Sequence, residues 1–178
     1  WTKPLTKEAD KLHIFLLDCP SLGELGPEGD SKMFTLLYLL SSILMFNCKA
    51  PITDQTMDLW KHLTTLNRYF TVSDEADQND FNMVYYSPRL LWLLRDSENV
   101  LKDQQGSPIK PDQYLENVLL DNRSTRPETI AIKQCVRNYM KVRECIAFPT
   151  PDRSGQSASF DKQLMKLKER IYSKSTCK

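Results

Sequence analysis

Short apolar runs alternate along this chain with longer stretches whose apolar residues recur at helical spacing. Leu12-His13-Ile14-Phe15-Leu16-Leu17 closes on Asp18, and Ile43-Leu44-Met45-Phe46 closes on Asn47 and Cys48. Leu90-Leu91-Trp92-Leu93-Leu94 is held between Arg89 and the pair Arg95-Asp96, and Glu144-Cys145-Ile146-Ala147-Phe148 is stopped by Pro149 and Pro151. Runs this short read as strands rather than helices. The unbroken apolar run at 90–94, with Pro88 just upstream, reads as a strand buried on both faces, the kind found in parallel sheets.

Between these runs the period changes. Cys19 to Gly29 holds three of the five glycines and two prolines, which predicts a long irregular loop. Asp30 or Ser31 is placed to cap a helix reaching about Leu40, broken by Ser41-Ser42. Thr53 is placed as the N-cap of a helix of about five turns carrying Leu59, Trp60, Leu63, Leu66 and Phe70 on one face. A polar, acidic loop is expected over 71–82. Pro111 and Pro127 stand where first-turn prolines start helices at 112–120 and 128–140. After a loop over 152–159, Leu164, Leu167 and Ile171 mark the core face of a closing helix. The alternation predicts an α/β fold, a mainly parallel sheet with helices on both faces. Asp18, Asn47, Arg95-Asp96 and Pro149-Thr150 then converge on the rim where such sheets bind ligands.

Composition narrows the partners. The chain has 178 residues, 40% of them apolar and 26% charged, as expected of one globular domain. Its 24 basic and 23 acidic residues are interspersed, so no basic stripe exists and nucleic acid is not an expected partner. Cys19, Cys48, Cys135, Cys145 and Cys177 are odd in number and form no C-x-x-C pair. They read as reduced thiols of a cytoplasmic protein rather than a disulfide frame or a zinc site. The apolar stretch 33–46 contains Thr35, Ser41 and Ser42 and falls short of the ~18 residues of a transmembrane segment. The chain begins at Trp1 without a signal-peptide pattern, which makes a piece of something longer the expectation, with 1–172 as domain and 173–178 as tail or linker.

Nucleophilic and metal catalysis are hard to build from this sequence. No G-x-S-x-G elbow, no G-x-G-x-x-G and no Cys/His metal cage occurs. His13 falls in a strand and His62 in a helix beside core positions, where structural roles are expected. What remains is a carboxylate after one strand, able to hold Mg²⁺ through water, and an Arg-Asp pair after another. A carboxylate matches the adjacent N1–H and N2–H donors of guanine, and a guanidinium can lie flat on a base. The pair therefore points to a guanine nucleotide, against the plainer alternative that it returns the chain to solvent.

Four segments carry a resemblance in order and spacing. They are Leu16-Leu17-Asp18-Cys19-Pro20-Ser21-Leu22-Gly23, Leu39-Leu40-Ser41-Ser42-Ile43-Leu44-Met45-Phe46-Asn47, Leu91-Trp92-Leu93-Leu94-Arg95-Asp96 and Pro111-Asp112-Gln113-Tyr114-Leu115. Together they resemble the GTPase domain of guanylate-binding proteins, dynamin-related large GTPases, over almost the whole chain. The resemblance implies a P-loop-GTPase-like G domain, incomplete at its N-terminus, that binds GTP or GDP with Mg²⁺ and pairs with a like domain across the nucleotide face. It also implies that Arg95 and Asp96 read guanine, that Asp18 meets Mg²⁺ through water, and that Ser21 stands near the γ-phosphate. The loop after Phe148 would lie over the base.

The departures are specific. The family's D-x-E-G becomes Asp18-Cys19-Pro20-Ser21, so a serine replaces the glycine at the γ-phosphate and Pro20 removes a donor. No G-x-x-x-x-G-K-[ST] occurs in these residues, nor does the threonine-bearing switch loop that follows it. Hydrolysis by these residues alone is therefore not expected, whatever the family's GTPase activity. The rival from another class is an inactive paralogue serving as a dimerisation or interaction module. An unrelated α/β hydrolase is disfavoured by the missing nucleophile elbow.

Overall fold

In the computed structural model of the chain, three of the four predicted strands form one parallel sheet. The structure describes residues 4–8, 11–70, 84, 86–97, 101–103, 105–124, 126–151 and 158–176, with backbone only at 67–70. The loop expected over 71–82 and most of that over 152–159 lie outside the described residues.

The parallel sheet has the order β3 (Ile43–Lys49), β4 (Arg89–Arg95), β5 (Arg143–Ala147), with Phe46 opposite Trp92 and Trp92 opposite Cys145. Parallel neighbours require crossovers, and helices supply them. The helices α2 (Asp54–Asp58) and α3 (Lys61–Phe70) lie between β3 and β4 in the chain. Two more, α4 (Pro111–Leu120) and α5 (Pro127–Tyr139), lie between β4 and β5. Alternation along the strands divides the apolar residues between two faces. Leu44, Cys48, Leu90, Trp92, Leu94 and Cys145 join the main core with α2 to α5 and α1 (Gly26–Leu40). Leu91, Ile146 and Phe148 face the other way, toward Phe160 and Leu167 of α6 (Ala158–Lys174). Helices thus cover both faces, as the α/β reading predicts.

The main core centres on Trp60 and Trp92, both fully buried and stacked at 5.5 Å and 15°, with Phe46 edge-on to each. Burying a large apolar side chain contributes roughly 1.5 to 3 kcal/mol, so the strand centred on Trp92 anchors the domain.

Several boundaries differ from the sequence expectation. The helix expected to start at Asp30 or Ser31 begins at Gly26, because Pro27 suits the first turn; Gly26 itself, at φ +75°, turns the chain into the helix. Asp30 is instead buried within α1. The long helix expected from Thr53 divides in two. Thr53 does cap α2, in a reciprocal box with Thr56, but i→i+3 bonds from Trp60 to Met57 and from Leu63 to Trp60 tighten the chain there and turn Trp60 inward. In α6, Leu164 is exposed and Phe160 takes its place in the core, because α6 lies over the small face with none of its residues fully buried.

The run 12–17 departs most. Only β2 (Leu12–Ile14) is strand, paired antiparallel with β1 (Leu5–Lys7) in a separate two-stranded ribbon. Asp18 therefore does not end a strand of the parallel sheet. Phe15 and Leu17 are 67% and 63% exposed. A strand joins a sheet only by pairing with a neighbour's backbone, and β1, a few residues away, captures Leu12–Ile14 at little loop-closure cost.

Candidate functional site

The carboxyl ends of β3, β4 and β5 form one rim, and hydrogen bonds continue past the strands to hold it. Lys49 stands opposite Arg95 at the last rung, and the Ala50 N–H donates to the Arg95 carbonyl at 2.8 Å. The Phe148 N–H donates to the Leu94 carbonyl at 2.8 Å, and Ser97 donates to the Phe148 carbonyl from both its N–H and its Oγ. Asp96 lies between these clamps with φ +53°, in the left-handed region. That conformation costs an L-residue about 1 to 2 kcal/mol, and aspartate is one of the few non-glycine residues that visit it. It persists because a strand on each side holds the backbone flanking it.

The Asp96 side chain is 29% exposed, with Oδ2 3.5 Å from Lys49 Nζ. No other hydrogen bond or ion pair engages its carboxylate among the described residues, so acceptor capacity is left for a ligand. Arg95 is exposed and makes no ion pair among the described residues.

Beneath the rim the support is rigid. Trp92 Nε1 donates to Cys48 Sγ at 3.0 Å, the Ile52 N–H donates to the Tyr114 hydroxyl at 3.1 Å, and the Cys145 N–H donates to Asp112 Oδ1 at 2.6 Å. Burial pushes the Cys48 thiol up, against the opposing pull of the Trp92 N–H and the Arg95 charge. Burial, helped by the Asp112 carboxylate and Cys48, pushes Cys145 up to about 12. Both thiols stay protonated at neutral pH and are poor nucleophiles.

The loop from Asp18 to Leu25 lies outside the strands of the parallel sheet. Asp18 and Ser21 are exposed, and Leu22 packs against the main core. The Glu24 N–H donates to the Ser21 carbonyl at 3.2 Å, and the Leu25 N–H donates to Asp30 Oδ1 at 3.3 Å, which ties the loop to α1. Behind it His62 is buried, with its ring 5.9 Å from Phe34. Burial, together with Lys61, pushes the His62 imidazole down, and Asp30 opposes this.

Arg95 and Asp96 thus stand on the rim, where sequence places them, and no hydrogen bond or ion pair joins them to Asp18 or Ser21 among the described residues. Of the segment expected over the base, only 149–151 are described. No cluster of three His, Cys, Asp or Glu able to hold a metal occurs among the described residues, and no described helix is long and apolar enough to cross a membrane. Sequence reading missed Lys49 and Ser97. Lys49 carried a faint signal as a charge just past an apolar run, whereas Ser97 carried none, since its role depends on a carbonyl 51 residues away.

Residues 1–176 match the family described as guanylate-binding protein, N-terminal domain. The chain is 32% identical over 177 residues to guanylate-binding protein 1 of Mus musculus, covering 94% of this chain and 28% of that protein. It is 29% identical over 172 residues to guanylate-binding protein 3 of Homo sapiens, covering 91% and 29%. It is 28% identical over 174 residues to guanylate-binding protein 1 of Homo sapiens, again covering 91% and 29%. The chain spans less than a third of the length of these curated relatives.

Proposed function

The chain belongs to the guanylate-binding protein family, and from that membership we propose that it supplies the guanine-reading part of a large GTPase domain. The Asp96 carboxylate accepts the N1–H and N2–H of guanine while the Arg95 guanidinium lies on the base of GTP or GDP. The observation that carries this reading is Asp96 itself, held in the left-handed region at the rim with acceptor capacity to spare. Strained backbone of this kind concentrates where function requires it.

Mg²⁺ enters with the triphosphate. A lone carboxylate such as Asp18 fits a water-mediated contact, because Mg²⁺ keeps several waters and takes few protein ligands beside the phosphates. Asp18 is exposed and bonded to no described residue, which suits that role, and Ser21 lies in the same loop. The ion would offset charge developing on the transferred phosphoryl group. This chain's own share is base selection by Asp96, stacking by Arg95 and water orientation by Asp18. Hydrolysis would draw on a phosphate-binding loop and a switch threonine that these residues do not include. A second reading, a paralogue that pairs with its own kind and does not hydrolyse, is favoured by Pro20 and Ser21, which replace a backbone donor and a glycine.

Exchange of acceptor for donor tests the guanine reading. Asp96→Asn presents an N–H to guanine's amino group and suits xanthine, which carries an oxygen there. In competition binding, the preference for GTP over XTP should reverse. An Asn variant that keeps preferring GTP would show that Asp96 does not read the base.

A further inference from the structure

The last rung of the β3–β4 ladder carries two cations side by side, Lys49 and Arg95, and their neighbour is the Asp96 carboxylate. Opposed residues in a parallel ladder share a face, so register aligns both side chains along the same side of the rim. Only Lys49 is ion-paired to Asp96 among the described residues, at 3.5 Å.

We propose that Lys49 is a positioning residue for guanine recognition, its ammonium holding and balancing the Asp96 carboxylate when a guanine base covers it. The inference rests on the guanine reading of Asp96. Guanine is neutral, so two N–H donors satisfy the carboxylate's hydrogen bonding but leave its charge, and a base laid over it removes water that would otherwise solvate that charge. Arg95 is committed to the face of the base, which leaves Lys49 as the nearby cation. The Lys49 side chain is 72% exposed, so water screens the pair until a base covers it. Excluding that water strengthens the same contact at the moment of binding, so Lys49 favours the occupied site. A ligand that places no donors on Asp96 gains nothing from it.

The test is a double-mutant cycle on the 178-residue chain, read by ligand-observed NMR titration with GMP, and with AMP as the control. Lys49→Met should weaken GMP binding about three- to tenfold, leave AMP unchanged, and cost nothing further in an Asp96→Ala background. Lys49→Arg should restore binding, since the cation is kept. An equal loss in both backgrounds, no loss while Asp96→Ala still weakens GMP, or tighter binding by Lys49→Met would each overturn the proposal and leave the guanine reading standing. GMP binding unaffected by Asp96→Ala, or absent from the wild-type chain at millimolar concentration, would remove the guanine reading and this inference with it.

Discussion

Ser97 donates two hydrogen bonds to a single acceptor, the carbonyl of Phe148, from its N–H at 3.3 Å and its Oγ at 3.1 Å. The ends of β4 and β5 are thereby joined one residue beyond Asp96, in a place where Ser97 is 3% exposed. Removing the hydroxyl leaves the backbone bond, so Ser97→Ala should cost about 0.5 to 1.5 kcal/mol in urea unfolding. It should also weaken guanine-nucleotide binding, because the clamp on Asp96 loosens. Wild-type stability in the Ala variant would show that the hydroxyl is not part of the clamp.

Asp96 trades stability for position. At φ +53° a glycine relieves the steric cost but loses some of the gain to chain entropy. Asp96→Gly should therefore be about 0.5 to 1 kcal/mol more stable than Asp96→Ala by urea midpoint, while both lose base selectivity. Equal stabilities would indicate that the left-handed conformation is not retained.

His62 makes stability depend on pH in a defined window. Burial and Lys61 lower its folded value below the ordinary 6.5, so on acidification the unfolded chain takes up the proton first. Its contribution is full above pH 6.5 and is lost as pH falls from there toward the folded value. The Asp121 carboxyl, held at about 2 by hydrogen bonds from Arg123, loses its contribution only as pH drops below 3.8. Urea midpoints at pH 7.5 and pH 5.5 should differ in the wild type, and the gap should narrow in His62→Gln. A gap of unchanged size in that variant would assign the effect to other groups.

GTP turnover by these residues alone should stay at background, because the preorganised donors that stabilise a transferred phosphoryl group are not among them. The check is phosphate release with Mg²⁺ by the purified chain, compared with Asp18→Ala. Magnesium-dependent release that Asp18→Ala abolishes would place a phosphate site within these residues.

What sequence alone determined were the local properties. The five apolar residues from Leu90 to Leu94 can be satisfied only by burial on both faces, Pro111 and Pro127 start helices through their own fixed φ, and Thr53 caps through its own hydroxyl. The placement of Arg95 and Asp96 at a strand end follows from the same run. Tertiary structure decided everything that depends on a partner distant in sequence. It assigned Leu12–Ile14 to β1 and left Asp18 off the parallel sheet, since strand pairing is a choice among neighbours that periodicity does not encode. It turned Trp60 inward and split the helix around it. It set Lys49 opposite Arg95 and bonded Ser97 to the Phe148 carbonyl, because register between strands about 45 to 55 residues apart in the chain emerges only when the whole core packs.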